Sequence, residues 1–386
     1  MTEIAIAITG ILSFFYGALH LYYFVGWQKS DRVVIEKKIS EPTFISVIVV
    51  ARNEQENILR CVNSILKQNY PTDAFELIVI DDHSTDNTFR ILSELDDERL
   101  KVLSLKEYAD EEQSIGSYKK YAITQGVSSA RGTLIATTDA DCIAPSNWLS
   151  LISTFHKDSG AKMIAGPVDF ISKNNWISIL QELDLIGLMG ITAGSMTNGI
   201  PTMCNGANLV FEKEVFKQVG GYTDIDDLPS GDDILLMMKI KDHYPDGIYF
   251  LNNSDAIVKT NALDNWTQLW QQRLRWLSKA SRFQDKRLTM TLILAYLFYA
   301  TIPINLAIGF WQTDFFLFGV IAFAIKMICE IPLLIKGSRF FDKTHLLKYV
   351  PIVQPVHLIY SLIVGLLSQF LGYSWKGRKY SHEMSH

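Results

Sequence analysis

Residues 44–51 read FISVIVVA, residues 75–84 read FELIVIDDHS and residues 134–142 read LIATTDADC. Each is a short apolar run, rich in β-branched residues, that breaks off in polar ones. That is the pattern of a strand buried on both faces in a parallel sheet. Between the first two runs, Glu54–Gln68 carries Ile58, Cys61, Val62, Ile65 and Leu66 at helical spacing. Thr85–Leu95 predicts a second helix, Leu100–Leu105 a third strand, Lys119–Ser129 another helix and Met163–Phe170 one further strand. The βαβαβ order predicts an α/β fold, a mainly parallel sheet with helices on both faces. Such sheets bind ligands beyond the carboxyl ends of their strands. Those ends carry Ala51-Arg52-Asn53-Glu54, Asp81-Asp82-His83-Ser84 and Asp139-Ala140-Asp141.

Working outward, the chain has 386 residues, 48% of them hydrophobic and 20% charged, with a net charge of −5. On a prior of about 150 residues per domain this is two or three domains, with ample chain for a core. An aromatic content of 12% excludes a disordered chain, and the acidic balance argues against a nucleic-acid partner. Apolar residues crowd both ends. Ile4–Trp27 contains no charged side chain, starts without a basic region and is followed by no evident cleavage site. It predicts a retained transmembrane anchor over residues 1–28. Lys29, Arg32, Lys37 and Lys38 follow, which places the middle domain in the cytoplasm.

Beyond the middle domain, Thr289–Gln312, Phe315–Ile335 and Tyr349–Trp375 are apolar, with Lys279, Arg282, Lys286 and Arg287 flanking the first. They predict a membrane region over 288–375 with two or three spans. Pro351, Pro355 and His357 mark the last segment as broken, re-entrant or interfacial. Three full crossings would put Lys376, Arg378 and Lys379 outside, against the positive-inside rule. Lys326 and Glu330 are four apart and can meet on one helix face, which inside a membrane reads as a functional pair or, as the blander and favoured reading, as a neutralised or snorkelling pair packed among helices. Trp176–Met196, interrupted by Glu182 and Asp184, reads as an interfacial or acceptor-lining helix rather than a span. Cys61, Cys142, Cys204 and Cys329 show no CxxC spacing, so neither a zinc site nor a disulfide framework is expected.

Neither GxGxxG nor GxxxxGK[ST] occurs, which weakens dinucleotide and P-loop readings. An acidic rim without a phosphate-cradling glycine loop needs a divalent cation to hold an anionic ligand. Asp139 and Asp141, two apart in extended backbone, face the same side. Their hard oxygens suit Mg²⁺ or Mn²⁺. The bland reading of such acids is helix capping, and Asp233, which opens Ile234–Met238, fits an N-cap as well. His83, His156 and His243 read as surface or capping residues without a role.

Together these residues resemble family 2 glycosyltransferases, inverting enzymes of the Rossmann-like GT-A fold, from about Phe44 to Trp276. FISVIVVARNEQENILRCVNSILKQNYP is similar to the family's opening strand and helix, with Ala51 where proline is common. LIVIDDHSTDNT is similar to its second-strand signature, with His83 where glycine is usual. ATTDADC resembles the DxD motif, NGANLVF the acceptor-side segment, SGDDILL the general-base motif and Gln272-Arg273-Leu274-Arg275-Trp276 the QxxRW motif. The resemblance implies a GT-A catalytic domain over 43–262 and an interfacial QxxRW helix over 263–287. It implies that Ala51, Arg52, Asn53, Glu54, Asp81 and Asp82 line a nucleoside pocket and that Lys119 sits near the diphosphate. Asp139 would face the sugar or ribose and share the metal with Asp141, and Asp233 would be the general base. Gln272, Arg275 and Trp276, at i, i+3 and i+4 on the predicted helix Asn265–Ser281, would serve the pyrophosphate and the acceptor entrance. The implied donor is a nucleotide-diphospho-sugar, most often a UDP-sugar. The implied acceptor is a lipid or a lipid-linked glycan at the cytoplasmic membrane face. A processive polysaccharide synthase and an inactive sugar-nucleotide-binding scaffold are the alternatives.

Overall fold

A computed structural model describes residues 2–30, 41–108, 115–173, 175–279, 283 and 285–380. Arg32, Lys37, Lys38 and Arg282, counted above among the basic flanks, lie outside the described residues. The chain divides into two compact units. An α/β unit comprises Ser30–Lys173, Met203–Ala262 and Ser374–His386; a helical unit comprises Met1–Lys29, Asn174–Thr202 and Leu263–Tyr373. The catalytic stretch read as 43–262 is therefore interrupted by one helical segment and completed by the C-terminal residues.

In the α/β unit the strands β1 (Ile45–Ala51), β2 (Phe75–Asp81), β3 (Leu100–Ser104) and β4 (Leu134–Asp139) are mutually parallel. Strands β5 (Met163–Ala165), β7 (Leu209–Glu212) and β8 (Ile248–Phe250) extend a sheet of order β3-β2-β1-β4-β7-β5-β8. Strand β7 is antiparallel to both its neighbours. Every residue of β2 is buried, as its unbroken apolar run requires. Register aligns the polar ends: Ala51 pairs with Asp81 and Val50 with Asp139. The acids thus stand at one height on the sheet's rim.

Helices α2 (Ile58–Leu66), α3 (Thr88–Ser93), α4 (Tyr118–Ser129), α5 (Trp148–Ser159), α7 (Lys213–Gln218) and α8 (Ile234–His243) complete the unit. The first two are shorter than their periodicity predicts, because loop-to-loop bonds claim their opening residues. Glu54 N donates to Thr88 Oγ1 at 2.7 Å, Thr85 N to Asn53 Oδ1 at 2.8 Å and Gln55 N to Asp86 Oδ2 at 3.1 Å. The predicted strand Met163–Phe170 is really two. Chain direction changes at Gly166-Pro167, and β6 (Val168–Ile171) leaves the main sheet to pair in parallel with β9 (Val258–Asn261). A Cβ on Gly166 would lie 2.3 Å from the Asn208 side chain, so only glycine fits that break.

The helical unit contains α1 (Thr2–Lys29), α6 (Trp176–Thr197), α9 (Trp266–Leu277), α10 (Lys286–Ile308), α11 (Thr313–Phe340) and α12 (Val350–Leu367). Among the described residues, five helices are long and apolar enough to cross a membrane: α1, α6, α10, α11 and Thr344–Leu367. Most of α6 is buried against the others. Its polar interruptions are paired within the unit. Glu182 meets Lys343 Nζ at 2.7 Å, and Asp184 is held by Arg273 and by His357 Nε2 at 3.3 Å. Lys326 and Glu330 pair at 2.7 Å, joined by Gln354, Tyr299 and Tyr16. That is the neutralised pair the sequence predicts. Unpaired charge is costly in an apolar interior, so saturation of this kind is required.

Helices α1 and α6 cross in backbone contact. A Cβ on Gly194 would lie 2.0 Å from Tyr23 O, and one on Gly26 2.2 Å from Gly194 O. Neither backbone oxygen can yield without moving its helix. Gly194→Val should therefore destabilise the helical unit by at least about 3 kcal/mol, the upper end for overpacking. Thermal unfolding in detergent checks this, and an unshifted midpoint contradicts it.

After α12 the charge-free segment Tyr349–Trp375 does not run on as helix. It ends in a hairpin of β10 (Tyr373–Trp375) and β11 (Arg378–Tyr380), a sheet of its own. Lys376 (φ 47°) and Gly377 (φ 80°) both occupy the left-handed region, as a two-residue primed turn demands.

Candidate active site

The loops leaving β1, β2 and β4 bring most of the predicted residues together. Arg52 Nη1 donates to the carbonyls of Asp82 (2.9 Å) and His83 (3.3 Å), pinning the first loop to the second. Asn53 (φ 52°) donates its backbone N–H to Ser84 Oγ at 3.0 Å. His83 also has a positive φ of 53°, which accounts for the glycine usual at that position. It is buried, with Nδ1 3.1 Å from Asp82 Oδ1, and so is neither a surface nor a capping residue. His156 sits 3.0 Å from Glu212, and His243 is exposed on α8.

Asp81 accepts from Ser84 N at 3.2 Å through Oδ2, while its buried Oδ1 has no partner among the described residues. Burial raises its pKa above the usual carboxylate value, with Asp82 adding to the effect and the Ser84 bonds opposing it. A buried, half-satisfied carboxylate at a rim is a group prepared for an external donor.

Asp139 closes β4, but Asp141 lies in a turn rather than in extended backbone, with Cys142 N donating to Asp139 O at 3.0 Å. The turn, not strand alternation, brings the two acids together. Ligand atoms of Asp139, Asp141 and Cys142 all lie within 4.8 Å of one another. Burial holds the Cys142 thiol well above its usual pKa, and its soft sulfur is a poor match for Mg²⁺ or Mn²⁺, so the hard oxygens are the usable donors. Asp141 Oδ2 accepts from Thr260 Oγ1 at 3.2 Å. Its pKa is pushed up to about 6, first by burial and then by the negative charges of Asp139 and Glu54. Crowded carboxylates that resist joint ionisation fit a divalent cation.

Lys119 Nζ bridges two elements, 2.9 Å from Asp139 Oδ1 and 3.1 Å from Asp232 Oδ2. Asp232 was not among the expected site residues; its place in SGDDILL is the signal that could have found it. Asp233 is the N-cap of α8, accepting from Ile234 N at 2.7 Å, and it also accepts from Gly206 N at 3.3 Å. Asn208, in the NGANLVF segment, is structural: its side chain bonds Trp148, Pro167 and Ala256. Gln272, Arg275 and Trp276 lie on α9 in the helical unit, where the Arg273 guanidinium sits 4.2 Å from the Trp276 ring centroid.

A sheet with β3-β2-β1-β4 at its core, carrying an acidic and basic cluster at the carboxyl rim, is the GT-A class of nucleotide-sugar-binding fold. The family model described as glycosyl transferase family 2 matches residues 46–220, and that of glycosyl transferase family group 2 matches residues 134–367. The chain belongs to glycosyltransferase family 2. It is 32% identical, over 34% of its length and 28% of the other's, to beta-monoglucosyldiacylglycerol synthase of Nostoc. It is 24% identical, over 84% of its length and 73% of the other's, to poly-beta-1,6-N-acetyl-D-glucosamine synthase of Staphylococcus epidermidis. Most curated relatives it matches are spanned over less than two thirds of their own length. The fold is that of the mannosyltransferase PcManGT from Pyrobaculum calidifontis, solved with GDP-Man and Mn²⁺. The TM-score is 0.53 at 19% identity, covering 94% of this chain and 99% of that one.

Proposed function

We propose that the protein is an inverting glycosyltransferase that moves a sugar from a nucleotide-diphospho-sugar to a lipid or lipid-linked acceptor at the cytoplasmic membrane face. The observation that carries this reading is the gathering of Asp139, Asp141, Lys119, Asp232 and Asp233 at one rim of the sheet. Arg52, Asn53, Glu54, Asp81 and Asp82, with the backbone of Ala51, line the nucleoside pocket, and the unsatisfied Oδ1 of Asp81 awaits a donor from it. Asp139 and Asp141 would hold Mg²⁺ or Mn²⁺, which when bound offsets charge on the departing diphosphate. Lys119, already beside Asp139, supplies further positive charge there. Asp233 takes the proton of the acceptor hydroxyl as it attacks. One inverting displacement needs no enzyme nucleophile. For Gln272, Arg275 and Trp276 the support is the motif alone, which implies service to the pyrophosphate and, for Trp276, stacking on a sugar ring.

Likeness to the Nostoc lipid glucosyltransferase supports a lipid acceptor; likeness over more of this chain to the Staphylococcus polymer synthase favours processive transfer as a second reading. Spans that are few and apolar favour one or a few transfers, since a polar polymer needs a polar channel. Product length on a gel separates the two. A long ladder from purified protein would favour the synthase.

The hairpin also bears on topology. Residues 374–380 belong to the α/β unit, so the segment 286–367 crosses an even number of times. We assign the two crossings to α10 and α11. Helix α12 has 18 residues and carries Gln354 and His357. Pro355 inside it interrupts the backbone hydrogen-bond ladder, which marks it as the broken or re-entrant segment. Helix α6 returns to the α/β unit at both ends through short loops and does not cross.

A panel of UDP- and GDP-sugars, each with Mn²⁺ or Mg²⁺, tests the reading by thermal shift. A cognate donor at a hundred times its Kd stabilises by about 2.7 kcal/mol. No shift with any donor would remove it. Metal affinity should also follow pH. A proton must leave Asp141 before a cation binds, so Mn²⁺ affinity should fall about tenfold per pH unit below about 6 and level off above it. Titration calorimetry between pH 5 and 8 measures this, and a flat profile would contradict it.

A further inference from the structure

The mechanism above makes no use of the C-terminal hairpin, yet its two cations sit on two acids of the nucleoside pocket. Arg378 binds Asp82 with both ends of its guanidinium, Nη1 to Oδ2 at 2.7 Å and Nη2 to Oδ1 at 2.9 Å. Its plane lies over Tyr118, 4.0 Å from the ring centroid. Lys376 pairs with Glu54 and donates to Arg52 O at 3.2 Å, while Arg52 Nε donates back to Lys376 O at 3.3 Å. With the hairpin seated, Asp82 is 1% exposed. No nucleoside can reach it.

The guanidinium presents what a base would present. It is flat, lies against an aromatic ring and points paired N–H donors at a carboxylate. The hairpin is also built to leave. A two-stranded hairpin is marginal by itself, and of residues 373–380 only Tyr373 is buried. Its contacts with Glu54 and Asp82 are charge pairs, which another cation and another set of N–H donors can replace.

We propose that residues 374–380 are a latch over the nucleoside end of the donor site, with Arg378 standing in for the base until the nucleotide displaces it. This rests on the reading of Asp82 and Glu54 as nucleoside-pocket residues. Arg378 is then a determinant of donor affinity through competition, and removing it tightens binding. A permanent wall that grips the diphosphate would have the opposite sign.

The test uses the full-length protein in detergent with UDP and with GDP, each with Mn²⁺. Calorimetry on R378A/K376A should give a Kd at least tenfold below wild type for the preferred nucleotide, with R378K in between. An unchanged or weaker Kd overturns the latch. Adding D82N to the double variant separates the two layers. Weaker binding upholds the pocket whatever the hairpin does, whereas unchanged binding removes the pocket reading and the latch with it. Absence of binding to wild type and double variant alike removes both. Hydrogen exchange on the unmutated protein gives an independent readout: amides of 373–380 should exchange faster with nucleotide, and slower exchange contradicts displacement.

Discussion

Asp233→Asn should lower sugar transfer by about a thousandfold and leave nucleotide affinity within about twofold, the range expected when a general base is lost. The substitution is clean because of how Asp233 is held. Its Oδ1 accepts from Ile234 N at 2.7 Å and caps α8, a bond that an asparagine oxygen keeps. The contact from Gly206 N to Oδ2, at 3.3 Å, is the one lost. A hydrogen bond to a charged group is worth about 1.5–3 kcal/mol, and at this length the lower end applies. So the helix stays, the neighbouring Lys119–Asp232–Asp139 bridge stays, and what disappears is the capacity to take a proton. Asp232 is the other candidate base, but it is committed to Lys119 at 3.1 Å. Turnover at saturating donor, with UDP titrated by calorimetry, reads both quantities. Unchanged turnover would reduce Asp233 to the N-cap it also is.

How much of this was legible beforehand follows from what sequence patterns encode. Strand runs such as FISVIVVA and LIATTDADC state their burial outright, and β1, β2, β3 and β4 stand within a residue of where they read. Helix starts read from periodicity fall at Glu54 and Thr85, ahead of the true ones, because side chains of Asn53, Asp86 and Thr88 bond across two loops, which no local periodicity records. The break at Gly166-Pro167 was written in the residues themselves, but its cause, Asn208, lies some forty positions away. In the sequence, Lys376 and Arg378 read only as topology signals. Their partners, Glu54 and Asp82, are more than 290 residues distant, and such pairing leaves no trace in spacing.

Asp141→Asn should produce two changes of opposite sense, and their combination is diagnostic. The first is loss of metal-dependent donor binding. Asp139 already shares an oxygen with Lys119 Nζ at 2.9 Å, and the soft Cys142 sulfur is a poor match for Mg²⁺ or Mn²⁺, so removing the second carboxylate leaves too few hard donors near the rim. The second is a gain in stability of the metal-free protein. Because the folded-state pKa of Asp141 is raised to about 6, ionisation is disfavoured by folding. That penalty is absent below about pH 4, grows as pH rises towards 6 and is complete above it. At about 1.4 kcal/mol per unit, it amounts to roughly 2–3 kcal/mol at neutral pH. An asparagine is neutral throughout and keeps an acceptor for Thr260. The variant should therefore melt higher than wild type without metal at pH 7.5, equal to it near pH 4, and show no further rise on adding Mn²⁺. A purely structural aspartate would instead lose stability when replaced and leave the Mn²⁺ response intact. Melting curves at the two pH values, with and without Mn²⁺, decide between them.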